Sequence, residues 1–264
     1  MEPELLSLIT PHTGTVREIT PVNAGYRGGV KATVRGARGM FFVKAWSDEP
    51  GARDPREVAL NPYIKRIGPE LVAYERRTGW MALVYEHVDG SHSNLSPGSP
   101  DVQPAVSVVA SLGGITVPDH QDWPHRTWKD LATLDEAALL DGNALLHSDI
   151  NPDNILVGDG EARIVDWGSP TLGAPVVNLA ELVTQLIAAG HDPAAAEEAV
   201  SGCSVWGEAD TETLDTVAAV LLRMHRKWEL ERPRWTERFP PGTWLRSISP
   251  AVGRWAAYRG VGAE

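Results

Sequence analysis

His147-Ser148-Asp149-Ile150-Asn151-Pro152-Asp153-Asn154, followed ten residues later by Ile164-Val165-Asp166-Trp167, decides the reading of this chain. Two short apolar runs, Ile155-Leu156-Val157 and Arg163-Ile164-Val165, flank Gly158-Asp159-Gly160. Apolar, β-branched runs on either side of a Gly-Asp-Gly turn predict a β-hairpin. Such a hairpin holds Asp149, Asn154 and Asp166 at one mouth. Phosphoryl transfer uses that set of groups: one carboxylate to receive a hydroxyl proton, and an amide and a second carboxylate to hold Mg²⁺ against nucleotide phosphates. Taken singly, Asp149 or Asn154 reads equally well as turn punctuation; the spacing of all three with the hairpin carries the functional reading.

These residues resemble the catalytic core of the aminoglycoside phosphotransferase family, a branch of the protein-kinase-like fold. That branch reads H-G-D-x-x-x-x-N and then I/V-D-W, where protein kinases read H-R-D and D-F-G. Ser148 stands in the usual Gly position, and Trp167 after Asp166 favours the small-molecule branch. The resemblance implies an α+β, protein-kinase-like fold in two lobes, with a β-rich nucleotide-binding lobe over residues 1–87. A mainly helical catalytic and substrate-binding lobe would cover 88–264. It implies ATP or GTP with Mg²⁺ as cofactors, Asp149 as the residue that positions or deprotonates the acceptor hydroxyl, and Asn154 and Asp166 as metal ligands. His147 is then a backbone support and not the base.

Composition sets the compartment and the partners. With 264 residues the chain can bury a substantial core in one domain or two lobes. No apolar run approaches the length of a membrane span, and no basic region followed by an apolar stretch opens the chain. The lone Cys203 rules out an intramolecular disulfide or a cysteine metal cluster and reads as a packed thiol. Together these features predict a cytoplasmic protein without membrane contact. A formal net charge of −11 argues against nucleic-acid binding, which needs cationic surface. The same charge would steer a cationic small-molecule substrate, although it also serves solubility.

Working outward toward the N-terminus, Thr13 to Thr20 alternates moderately and suits a first strand. Lys31-Ala-Thr-Val34 and Met40-Phe-Phe-Val-Lys-Ala-Trp46 predict a hairpin joined by Arg35-Gly-Ala-Arg-Gly39. Gly25, Gly28 and Gly29 precede it, and glycines there let backbone amides approach phosphates. The spacing is not the protein-kinase G-x-G-x-x-G, and an ordinary turn explains it as well. Lys44 lies inside an apolar strand, either on its solvent face or placed for a task. In the resembling fold a lysine there grips the α- and β-phosphates and is steadied by a helix glutamate. Glu57 lies thirteen residues on, in a helix expected to begin with Asp54 as N-cap and Pro55 at the first helical position. Pro62 should break or kink that helix early. Pro69 to Tyr74 and Trp80 to Val88 predict two strands. The second ends at Glu86-His87-Val88, where the resemblance places the hinge whose backbone holds the adenine edge.

Toward the C-terminus, residues 91–104 read as a linker and Val102 to Thr116 as helix-compatible. Asp119, His120, Asp122 and His125 lack a ligand spacing and read as a solvated loop. Thr127 to Asp130 should open a helix as a capping box, burying Leu131, Leu134 and Ala138. Family members commonly have an aspartate where this chain has Asn178, expected here as the N-cap of a helix over 179–189. Asp192-Pro193 should cap another helix, and residues 211–230 predict a long amphipathic one. Trp228, Trp235, Trp244 and Trp255 read as helix-packing residues. An O-phosphotransferase acting on an antibiotic, in resistance or biosynthesis, is the leading expectation. The Ala, Gly, Pro, Arg and Trp content suits a GC-rich bacterial genome. A metabolic kinase of choline, homoserine or sugar type and a nucleotide-binding pseudokinase are the alternatives.

Overall fold

A computed structural model describes residues 1–22, 29–77, 79–117, 123–233 and 243–262, with the side chains of 243–246 left aside. The chain divides into two compact units, Met1–Asp89 and Gly90–Glu264.

The first unit opens with helix α1 (Pro3–Thr13), followed by strands β1 (Glu18–Pro21), β2 (Val30–Gly36) and β3 (Gly39–Ser47). Helix α2 (Arg56–Ile64) and strands β4 (Leu71–Arg77) and β5 (Trp80–Glu86) complete it. The strands form one antiparallel sheet in the order β1-β2-β3-β5-β4. The chain start therefore differs from the expectation of a strand from Thr13. Leu5, Leu8 and Ile9 recur at helical spacing and are fully buried against Ala32, Val34, Val43, Ala45, Ala82 and Val84. Gly36 lets the end of α1 meet the β2–β3 turn, since a Cβ there would lie 2.1 Å from the Thr13 carbonyl oxygen.

Two expectations for α2 are corrected. The helix starts at Arg56 behind Pro55 with no side-chain cap, because Asp54 instead accepts hydrogen bonds from Tyr74 Oη and Arg76. Pro62 does not break it: the helix runs through Pro62 to Ile64. At nine residues, its later amides carry the last turn without the one that proline lacks.

The second unit contains β6 (Ser91–His92), α3 (Val102–Ser111), α4 (Leu134–Leu139), β7 (Ala144–Leu146), β8 (Ile155–Gly158) and β9 (Glu161–Ile164). After β10 (Thr171–Gly173) come α5 (Val176–Ala188), α6 (Pro193–Ser201), α7 (Ser204–Gly207), α8 (Thr211–Glu231) and α9 (Thr243–Tyr258). The expected hairpin is present. β8 pairs with β9 from Ile155↔Ile164 to Gly158↔Glu161, and Asp159 and Gly160 both adopt positive φ at its turn. Within the segment read as a linker, Ser91 and His92 pair with Val157 and Leu156.

Other boundaries move. The capping box lies at Thr133 and Glu136, not at Thr127, so α4 begins six residues later than a helix opened at Trp128 would. Leu134 is 90% exposed and α4 buries none of its residues; Arg223 holds it down through Glu136 and the Leu131 carbonyl. Asp192 caps α6 as expected, its side chain accepting from the Ala195 amide at 3.0 Å. The core gathers around α5, which packs on α3, α6, α8 and α9. Trp255 is fully buried and donates through Nε1 to Glu197 at 2.7 Å, the packing role expected for it. Trp228 stacks edge-on to His225, and Trp235 lies outside the described residues, as does the Trp244 side chain. Among the described residues, no helix is long and apolar enough to cross a membrane.

Candidate active site

The 147–167 segment is held by backbone conformations that its residue types do not favour. Ser148 has φ 66° and Asp166 has φ 62°, both left-handed and neither glycine. Each such residue costs on the order of 1 kcal/mol and needs fixing by its surroundings. At Ser148 the hydroxyl lies 2.8 Å from Thr171 Oγ1 on β10. Around Asp166, His147 Nε2 lies 3.0 Å from the Val165 carbonyl oxygen, and the imidazole stands edge-on to Trp167 with ring centroids 4.6 Å apart. Trp167 Nε1 donates back to the Ile164 carbonyl at 2.8 Å. His147 is almost fully buried and supports backbone, as expected.

Asn178 is not an N-cap. It lies in the first turn of α5, almost fully buried. Its Oδ1 accepts from the His147 amide at 3.1 Å, and its Nδ2 donates to the Leu145 carbonyl at 2.9 Å. Helix α5 is thereby tied to the end of β7, just where the chain leaves the strand for Asp149.

Asp149 is enclosed by amides. Asn154 Nδ2 donates to its backbone oxygen and to Oδ2, each at 2.9 Å. Asn151 Nδ2 donates to its Oδ1 at 2.9 Å. Its side chain stays open to solvent, yet the surrounding protein crowds it. Desolvation is the largest effect and pushes the carboxyl up to about 6. The asparagine hydrogen bonds oppose that rise, and the charges of Glu181 and Asp166 add to it. Asp149, Asn154 and Asp166 are thus brought together within one unit. Glu181, on α5, belongs to the same electrostatic neighbourhood and was not anticipated. It pairs with Arg126 at 2.5 Å, both side chains largely buried. The available signal was a glutamate inside the apolar stripe of α5.

In the first unit, Lys44 is buried on β3 and donates through Nζ to Glu57 Oε1 at 2.6 Å. Both side chains keep only 10% and 7% of their exposure, so this is a desolvated pair, in which each charge needs the other. Lys44 Nζ also lies 5.8 Å from the Tyr85 ring centroid. Directly opposite Lys44 in the β2–β3 register stands Lys31, a second ammonium on the same sheet face that sequence reasoning passed over. At the end of β5, the Glu86 amide is spent on the Glu70 carbonyl at 2.9 Å and the His87 amide on the Met40 carbonyl at 3.2 Å. Among the described residues, no backbone bond of this kind engages the amide of the half-buried Val88. Gly25 and Gly28 lie outside the described residues.

The two units carry the protein-kinase-like fold: an antiparallel sheet with one helix bearing the Lys44–Glu57 pair, and a mainly helical unit bearing the Asp149 loop. Solved structures of small-molecule kinases share it. An aminoglycoside phosphotransferase from Alicyclobacillus acidocaldarius aligns over 98% of this chain and 95% of its own, with TM-score 0.67 and 13% identity. A choline kinase from Streptococcus pneumoniae aligns over 97% and 98%, with TM-score 0.66 and 11% identity. A spectinomycin phosphotransferase, solved with ADP and spectinomycin, aligns over 96% and 100%, with TM-score 0.60 and 14% identity. No family model matches the chain, and no curated protein sequence matches it significantly.

Proposed function

We propose that this chain is an ATP-dependent O-phosphotransferase that moves a γ-phosphoryl group to a hydroxyl of a small molecule. The observation that carries the reading is the Asp149 cage. A carboxylate with a raised pKa stands open to solvent and is oriented by the amides of Asn151 and Asn154. A base poised near neutrality that remains ionised at pH 7 suits the transient acceptance of a hydroxyl proton. Asn154 spends Nδ2 on Asp149, which leaves Oδ1 for a cation. Together with the Asp166 carboxylate it offers two oxygen donors. Among the described residues, no group of three His, Cys, Asp or Glu side chains forms a closed metal cage. Two oxygen donors suit Mg²⁺, which keeps waters and takes one or two protein oxygens plus phosphates. When bound, the ion supplies charge compensation for the transferring phosphoryl group.

Lys44, steadied by Glu57, is the phosphate-gripping cation, with Lys31 adding a second positive charge on the same face. Glu86 and Val88 are the backbone positions offered to an adenine, and Gly25 and Gly28, which precede β2 in the sequence, would offer backbone amides to phosphates. ATP or GTP is the donor. Placing positioning and electrostatics in these groups leaves little covalent work to the protein. An antibiotic acceptor is favoured by the neighbours that carry aminoglycoside and spectinomycin phosphotransferase names. A metabolic acceptor is the second reading, favoured by the choline kinase likeness. The net charge of −11 suits a cationic acceptor and disfavours nucleic acid.

The test is to incubate the protein with Mg²⁺-ATP and a panel of aminoglycosides, spectinomycin, nucleoside and peptide antibiotics, choline, homoserine and sugars, reading products by mass. One phosphate added to one class is the expected result. Asp149→Ala should lower kcat by about 10²–10⁴-fold, the usual worth of a positioned base, with Mg²⁺-ATP binding retained. Full turnover by that variant would overturn the catalytic assignment. ATP binding without transfer to any acceptor, water included, would leave the pseudokinase reading.

A further inference from the structure

Glu57 sits one residue into a short helix with no side-chain cap, and nothing in that helix alone holds it in place. Isolated helices of this length are marginal in water. The approach to that helix is tied to β4. Arg76 on β4 donates through Nε to both oxygens of Asp48, at 3.1 and 3.0 Å, and through Nη2 to Asp48 Oδ1 at 2.8 Å. Through Nη1 it donates to Asp54 Oδ1 at 3.0 Å, and Tyr74 Oη donates to the same oxygen at 2.6 Å. Asp48 immediately follows β3, which carries Lys44, and Asp54 lies two residues before the helix that carries Glu57. One guanidinium therefore spans both ends of the β3–α2 connection. The planar fork of arginine suits this double grip in a way a lysine would not.

We propose that Arg76, with Asp48, Asp54 and Tyr74, forms a clasp that positions Glu57, and through it Lys44, for nucleotide phosphates. This rests on the phosphate-gripping role given to Lys44 above. Arg76 touches no reacting group; it is a positioning residue. The diversion of Asp54 from capping α2 to binding Arg76 is the cost of the arrangement, since an N-cap would serve the helix directly. The gain is that Glu57 meets Lys44 at 2.6 Å.

Two readouts on the full chain test the clasp. The first is the Kd of Mg²⁺-ATP by calorimetry. The second is the rate at which an amine-acylating reagent modifies Lys44, followed by peptide mass spectrometry and needing no nucleotide. Arg76→Ala should weaken Mg²⁺-ATP about tenfold, within what a misplaced positioning contact costs. It should also speed Lys44 acylation severalfold, at a temperature where circular dichroism shows the variant folded. Tyr74→Phe, which removes a single bond, should move both in the same direction by about two- to threefold, and it carries the test if Arg76→Ala does not fold. A lowered Tm with Kd and Lys44 labelling unchanged would mean that Arg76 only stabilises, and the clasp would be wrong. If the wild-type protein binds no Mg²⁺-ATP, the phosphotransferase reading fails, while unchanged or accelerated Lys44 labelling still decides the clasp.

Discussion

Two buried asparagines do the same job in the two units. Asn61 on α2 donates through Nδ2 to the Pro69 carbonyl at 2.8 Å and accepts from the Leu71 amide at 2.9 Å. Asn178 on α5 donates to the Leu145 carbonyl and accepts from the His147 amide. In each case the partners are a carbonyl and an amide two residues apart on extended chain, and the planar amide is matched to both at once. Only Asn or Gln combines a donor and an acceptor in this way; a carboxylate supplies acceptors alone. The difference lies in what each helix then delivers. Asn178 secures the loop that carries Asp149, whereas Asn61 secures the far end of the helix whose near end is held by Arg76 and Tyr74. The loop around Asp149 is fixed by internal, buried contacts. The Lys44–Glu57 pair depends in part on a partly exposed ionic contact that water and salt can screen.

That contrast predicts different kinetic outcomes. The largest effect is expected for Asn178→Leu, which leaves the Leu145 carbonyl and the His147 amide buried without partners. Each orphan costs roughly 1–3 kcal/mol, so unfolding in urea should show a loss of about 2–6 kcal/mol. Among folded molecules kcat should drop while the Kd of Mg²⁺-ATP stays near wild type. A variant that instead weakened nucleotide and spared kcat would erase the division between the two asparagines. Asn178→Asp keeps the acceptor for His147 and should lie between Leu and wild type.

Asn61→Leu comes next. Leu71 is only half-buried, so water can reach part of what the substitution orphans, and a loss of about 1–3 kcal/mol is expected. Its kinetic signature should be a raised KM for ATP with kcat little changed. Combined with Arg76→Ala, it should act on nucleotide affinity more than additively, because both variants release the same helix from β4. Strict additivity in that double mutant would argue that the two ends of α2 are held independently.

Smallest is the effect at Ser148. Ser148→Gly removes the left-handed cost of about 1 kcal/mol and also the hydroxyl contact with Thr171, of similar worth, so Tm should stay near wild type. Ser148→Ala keeps the cost and loses the contact. It should be the less stable of the two by about 1 kcal/mol in thermal melts. Equal stability of the two variants would mean that the Thr171 contact, not the backbone conformation, governs this position.

The Asp149 loop was legible because its chemistry is local. Asp149, Asn154 and Asp166 lie within eighteen residues, and the turn between β8 and β9 announces itself through residues that tolerate positive φ. The β2–β3 hairpin and the packing of Trp255 could be read for the same reason, from alternation and from large apolar side chains. The caps lie elsewhere than local spacing places them at Asp54, Thr127 and Asn178, and Asp54 and Asn178 share one cause. A short polar side chain before a helix predicts a cap only while no better partner is within reach. Asp54 finds Arg76, and Asn178 finds Leu145 and His147; Thr133, not Thr127, has its Glu three residues on.

What the sequence determined by itself was the identity of the reacting groups and the alternation that makes one sheet and many helices, because both are written in neighbouring residues. Only the tertiary structure decided which side chains hold those groups still. Arg76 reaching Asp48 and Asp54, Asn178 reaching Leu145, and Glu181 reaching the surroundings of Asp149 join residues between 22 and 33 positions apart. Hydrogen bonds at such separations follow from where packed elements place their faces, and no local periodicity records them.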